Sequence, residues 1–166
     1  MELRKTFRFE ASHILPKHKG KCSRLHGHSW VLHVFVKGQV SRETGFVMDY
    51  ADISGVVKPL VDSLDHRHLG AWTDLFYRPM SDWHRNNMVE NMPEDFYPSS
   101  ENLLVWIAGQ LSGRDYPLLW SKLSLEETCT SYAEITYSEW LSLRGASKAT
   151  GAMDGCKFHA ALGETL

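Results

Sequence analysis

Three histidines fall where two extended segments would bring them together. His26 and His28 flank Gly27 in the stretch Cys22-Ser23-Arg24-Leu25-His26-Gly27-His28, and the residues that follow, Trp30 to Lys37, are apolar and β-branched. The pair therefore opens a strand, on which positions i and i+2 share a face, and Gly27 adds no bulk between the two imidazoles. His13 ends the apolar face of an earlier alternating segment, in which Leu3, Phe7, Phe9 and Ala11 face one way and Arg4, Thr6, Arg8, Glu10 and Ser12 the other, with Lys5 as the exception. Three neutral imidazoles suit zinc, and three protein ligands leave a fourth position for water or substrate, as catalytic sites do. Cys22 is either that fourth ligand or a free thiol, whose pKa a nearby cation together with Lys21 and Arg24 would lower until it is usable as a base or nucleophile.

Two further groups could work beside such a centre. In Asp65-His66 the carboxylate raises imidazole basicity and the histidine exchanges the proton, so the pair can poise a thiol; a carboxylate that only holds a helix end accounts for Asp65 equally well. Glu127 continues the more apolar face of an alternating segment, whereas Glu126 faces the other way. A carboxylate in that position can hold a flat, amide-like heterocycle through two hydrogen bonds. Zinc with a group that moves protons would acidify a C–H beside a hydroxyl or carbonyl by stabilising the oxyanion that develops. The loop from Leu15 to Leu25 carries Lys17, His18, Lys19, Lys21 and Arg24, which would favour an anionic substrate.

These residues need a scaffold, and the pattern supplies one. Strands are expected over Leu3 to His13, Gly27 to Lys37, Leu118 to Thr128, and Ser131 to Glu139. Asp49 can cap a helix carrying Ile53, Val56, Val57, Leu60, Val61 and Leu64, with a kink or early break at Pro59. Ser99 or Ser100 can cap a second helix, from Glu101 to about Leu111, with Gly113 following where a C-terminal glycine belongs. The order strand, strand, helix, helix, strand, strand is an α+β arrangement: a four-stranded antiparallel sheet with two helices on one face. The segment 72–97 has no clear period, and a lid, a subunit contact and a small irregular subdomain are all open for it. Residues 1–143 form the domain, and 144–166, rich in Gly, Ala, Ser, Thr and Lys, read as a poorly packed tail.

The bulk composition narrows the class. At 166 residues the chain suits one domain with an ordinary core, and a net charge of −2 gives no global attraction to nucleic acid or anionic membrane. No apolar run approaches the ~18 residues of a membrane span. The charged, alternating start is unlike a signal peptide, and three cysteines without a pairing motif suit a reduced, cytoplasmic protein.

The ordered stretches Phe9-Glu10-Ala11-Ser12-His13, Cys22 to His28, Gly45-Phe46-Val47-Met48-Asp49-Tyr50, Leu64-Asp65-His66, Ser100-Glu101-Asn102 and Leu125-Glu126-Glu127-Thr128 resemble the 6-pyruvoyltetrahydropterin synthase family. The short spacing from Cys22 to His26 resembles its 6-carboxytetrahydropterin synthase branch, which serves 7-deazaguanine and queuosine biosynthesis. The resemblance covers roughly Leu3 to Tyr137. It implies a tunnelling fold whose protomers join sheets into a β-barrel, as a homohexamer of two stacked trimers with sites between subunits. It implies that His13, His26 and His28 hold Zn2+, that Cys22, Asp65 and His66 move protons, that Glu127 anchors a pterin and that Glu101 lines the site. The implied substrate is 7,8-dihydroneopterin triphosphate, converted to 6-carboxy-5,6,7,8-tetrahydropterin, acetaldehyde and triphosphate. The alternatives are elimination of triphosphate alone, to give 6-pyruvoyltetrahydropterin, and a non-catalytic, zinc-stabilised pterin-binding oligomer. Gly70 stands where an Asn is usual, Ser99-Ser100 replaces a common Pro-Thr or Thr-Thr, and the segment 72–97 is longer than usual.

Overall fold

The computed structural model describes residues 1–70, 87–89, 92–93, 95–113 and 118–150, with side chains described as far as Gly145. Most of the insertion expected at 72–97, and the chain beyond 150, lie outside the described residues. Strand β1 (Glu2–His13) and strand β2 (His26–Lys37) pair antiparallel along their whole length, from Glu2 opposite Lys37 to His13 opposite His26. Helix α1 (Tyr50–Leu64) leads into a two-residue strand β3 (Arg67–His68), which runs parallel to β1 at Ala11 and Ser12. Helix α2 (Ser100–Ser112) precedes the hairpin of β4 (Lys122–Thr128) and β5 (Ser131–Thr136), and helix α3 (Tyr137–Thr150) follows. The sheet order is β3-β1-β2-β4-β5.

Alternation drives the sheet. Phe9 and Ala11 are buried while Arg8 and Glu10 are exposed, and Trp30, Leu32 and Val34 continue the same face on β2. Leu123 and Leu125 lie opposite Val34 and Leu32 and extend that face across β4. The apolar stripes of α1 (Ile53, Val57, Leu60, Val61, Leu64) and α2 (Leu103, Leu104, Ile107, Leu111) join the same core. The ring planes of Phe9 and Trp30 stack within it, their centroids 6.1 Å apart. Each of these helices starts at a side-chain cap: Asp49 accepts from the Ala51 N–H at 2.7 Å, and Ser99 accepts from the Asn102 N–H at 3.3 Å.

The α+β class stands, with differences in detail. Among the described residues the structure has five strands and three helices against an expected four and two. The extra strand, β3, is two residues long, too short to carry a period. The extra helix begins at Tyr137, where strand was expected to continue to Glu139. A reciprocal cap explains this: Glu139 Oε2 accepts from the Thr136 N–H at 2.8 Å, and Thr136 Oγ1 accepts from the Glu139 N–H at 3.3 Å. The Thr-x-x-Glu signature was therefore present in the sequence. Trp140 fixes the helix by packing edge-on to Trp120, with ring centroids 5.9 Å apart. Pro59 does not break α1, because it lies on the exposed side of a helix whose apolar stripe continues to Leu64. Gly113 ends α2 at φ −99, without the left-handed turn its type suggested. β4 begins at Lys122 rather than at Leu118, and Leu119 before it is 72% exposed.

Candidate metal centre

The pairing of β1 with β2 sets His13 directly across from His26, and Ala11 across from His28. All three imidazoles therefore emerge from one end of the helix-covered face. Their rings lie close together, with centroids 4.5 Å apart for His13 and His26 and 5.0 Å for His13 and His28. Trp30, two residues beyond His28 on the same face, sits edge-on to His13 and His28 at 5.3 and 5.4 Å and forms an apolar floor. Glu127, near the end of β4, completes the group. One ligand atom from each of His13, His26, His28 and Glu127 can be chosen so that all lie within 4.8 Å of one another.

The backbone fixes which nitrogen His13 and His26 present. His13 Nδ1 donates to the Pro98 carbonyl at 2.7 Å, and His26 Nδ1 donates to the Arg24 carbonyl at 2.7 Å. A neutral imidazole with its proton on Nδ1 offers only a lone pair on Nε2. The two Nε2 atoms nevertheless face each other at 3.1 Å. Two facing lone pairs repel unless a cation lies between them. A proton on His13 is a poor candidate, since burial lowers its pKa to about 4 against the opposing bond to Pro98, with His26 and His28 lowering it further. Burial also lowers the His28 pKa, Glu127 opposing the shift. His28 Nε2 is buried without a hydrogen-bond partner, and Glu127 Oε1 at 3.3 Å is close but not directed as one. A divalent metal fits this donor set: three imidazole nitrogens, the tautomers of His13 and His26 fixed by outer carbonyls, and one carboxylate.

The other residues chosen from the sequence are not among the four clustered ones. Cys22 is half-buried in a short 3-10 turn, Lys21–Ser23, whose loop is closed by the Leu15 N–H donating to the Cys22 carbonyl at 2.9 Å. It is not one of the four clustered residues; the fourth is Glu127. Asp65 ends α1 and grips the edge of the sheet, its Oδ1 accepting from the Glu10 N–H at 2.7 Å and its Oδ2 from His66 Nδ1 at 2.8 Å. These bonds, the one from Glu10 first, hold its carboxyl below the usual range. His66 takes a left-handed φ of 57, its N–H donates to the Glu10 carbonyl, and its side chain is 78% exposed. The pair is thus built, but in this chain it is not part of the histidine cluster. Glu101 lies in the first turn of α2, where backbone N–H and Ser99 bonds lower its pKa. It stands three residues after Pro98, the residue that holds His13.

Some of the site was not found in the sequence. Nothing in the residue types marks the carbonyls of Arg24 and Pro98 as outer partners. Trp30 was visible by the same two-residue period that paired His26 with His28. His68, buried, donates or accepts at Ser12 Oγ over 3.0 Å and leaves Nε2 without a partner among the described residues.

Comparison with known proteins agrees with this architecture. Residues 2–138 match the family model described as 6-pyruvoyl tetrahydropterin synthase. The chain is 37% identical over 134 residues to a 6-carboxy-5,6,7,8-tetrahydropterin synthase of Synechocystis sp., covering 78% of this chain and 88% of that one. It is 32% identical over 155 residues to a protein of the same name from Aquifex aeolicus, covering 80% and 96%. Among solved structures, Caenorhabditis elegans 6-pyruvoyl tetrahydropterin synthase superposes with a TM-score of 0.60 at 22% identity, over 82% of this chain and 94% of that one, a likeness of fold. With the tris-histidine geometry, the tunnelling-fold sheet and helices and these matches taken together, the chain belongs to the 6-pyruvoyl tetrahydropterin synthase family.

Proposed function

We propose that this chain is a zinc-dependent carbon–carbon lyase that converts 7,8-dihydroneopterin triphosphate to 6-carboxy-5,6,7,8-tetrahydropterin, acetaldehyde and triphosphate, within 7-deazaguanine and queuosine biosynthesis. The observation that carries the reading is the convergence of His13, His26 and His28 with Glu127 at one end of the sheet. Relatives named 6-carboxy-5,6,7,8-tetrahydropterin synthase support it, as does the four-residue step from Cys22 to His26.

In this reading His13, His26 and His28 hold the metal, which when bound polarises side-chain oxygens of the substrate. Glu127 accepts hydrogen bonds from the N–H groups of the pterin. Cys22 takes and returns a proton on the substrate side chain, and His66, oriented by Asp65, exchanges it with solvent. Glu101 lines the pocket. Lys17, Lys19, Lys21 and Arg24 meet the triphosphate. Because His66 is exposed rather than turned to its own chain's histidines, a homohexamer with sites between subunits suits the arrangement, one subunit lending Asp65 and His66 to its neighbour. The β3 and β5 ends of the sheet are where such a barrel would join. Domain limits of 1–143, with the insertion 72–97, go with this reading. So does a cytoplasmic setting, in which Cys22 and Cys129 stay free; no helix among the described residues is long and apolar enough to cross a membrane.

Mass-spectrometric identification of the pterin product tests the assignment. 6-Carboxy-5,6,7,8-tetrahydropterin is the expected product. 6-Pyruvoyltetrahydropterin would place the chain with the triphosphate-eliminating enzymes, and recovery of unchanged substrate by zinc-loaded protein would favour a non-catalytic pterin-binding oligomer.

A further inference from the structure

Glu127 stands in a position that a pterin anchor alone does not require. A single oxygen, Oε1, lies 3.4 Å from His13 Nε2 and 3.3 Å from His28 Nε2. His13 presents a lone pair there, because its proton is committed to the Pro98 carbonyl. An anionic oxygen facing such a lone pair is held there only if a cation sits between them. The arrangement is that of a fourth metal ligand, and four protein ligands close a zinc site.

The backbone under Glu127 is unlike the rest of β4. Glu126 pairs with Tyr132 and Thr128 with Ser131, so Glu127 is the additional residue in a register shift and has no ladder partner of its own. Such bulges re-aim side chains and loosen the strand locally. Its side chain is 23% exposed, which leaves a path away from the histidines. A carboxylate that grips two heterocyclic N–H groups uses both oxygens in one plane. It cannot do that at full strength while Oε1 is bound to a metal.

We propose that Glu127 is a displaceable ligand: it closes the tris-histidine centre when no substrate is present, and leaves the metal when it takes hold of the pterin ring. The fourth position then opens only as the substrate arrives. Metal and pterin compete for one carboxylate, and by linkage each weakens the other's hold on it. This rests on the metal centre and pterin site proposed above.

The test uses the full chain, stripped with a chelator and reloaded. Zinc affinity is measured by competition with a chromophoric chelator for wild type, Glu127→Ala, Glu127→Gln, Glu126→Gln and His28→Ala. Glu127→Ala and Glu127→Gln are expected to weaken zinc binding by ~10-fold or more, the scale on which even outer-shell partners act, while Glu126→Gln does not. A smaller loss in both Glu127 variants overturns the proposal. Unchanged zinc binding in His28→Ala would instead remove the metal centre itself. The second measurement is a fluorescence titration with 6-methylpterin, which has the ring but no side-chain hydroxyls to ligate metal. Zinc-loaded wild type should bind it more weakly than metal-free wild type. Equal or tighter binding with zinc overturns the exchange, and binding to neither form removes the pterin site on which it depends.

Discussion

His13 and His26 turn their Nε2 atoms toward each other across 3.1 Å while each commits its Nδ1 proton to a backbone carbonyl. That geometry is unstable for two neutral rings alone and natural for two ligands of one ion. It predicts one zinc per chain. Bound metal, measured by elemental analysis after gel filtration, should fall to background in His28→Ala and persist in Cys22→Ala. Full zinc in the first variant, or none in the second, would contradict the assigned ligands.

Cys22 is predicted to carry proton transfer rather than metal. It lies outside the four-residue cluster, in a turn flanked by Lys21 and Arg24. Cys22→Ala should keep its fold and its zinc yet lose turnover by ~10²-fold or more, the usual consequence of removing a positioned acid or base. Wild-type kcat in that variant would remove Cys22 from the chemistry.

Adjacent glutamates should behave oppositely. Glu126 faces away from the histidine cluster and pairs with His33 at 2.7 Å, while Glu127 faces the cluster. Glu127→Gln should raise the KM for the pterin substrate strongly, and Glu126→Gln should leave it nearly unchanged. Equal KM values in the two variants would contradict the strand register.

Much of this site was legible because strand period is a strict rule. Alternation alone put His13 on the apolar face, His26 and His28 on a common face, and Glu127 rather than Glu126 toward the core. What escaped followed no period. The Pro98 carbonyl reaches His13 across 85 positions of chain, and a carbonyl carries no residue-type signal. β3 is two residues long. The helix at Tyr137 was written in Thr136 and Glu139, but the strand-like run before it, with Ala133 and Ile135 on one side, outweighed a cap of two residues.

His68 gives a prediction about stability. It is 7% exposed, and burial, with a smaller contribution from His13, lowers its pKa to about 4 from the ordinary 6.5. The unfolded chain therefore binds a proton that the folded chain refuses between these values. The share of stability that His68 carries is complete above pH 6.5 and is lost as the pH drops toward 4. His68→Asn, which retains a partner for Ser12 Oγ, should lower the urea midpoint at pH 7 through lost packing but fall less between pH 7 and pH 5 than wild type. Parallel declines in the two proteins would mean that His68 does not carry this share of the acid sensitivity.

The most direct test of the account is the stoichiometry of acetaldehyde to triphosphate. Chelator-stripped protein, reloaded with zinc and given 7,8-dihydroneopterin triphosphate, is coupled to an acetaldehyde-reducing dehydrogenase while triphosphate is measured in parallel. The account predicts one acetaldehyde for each triphosphate, with neither formed by the stripped protein or by His28→Ala. Triphosphate released without acetaldehyde would contradict it.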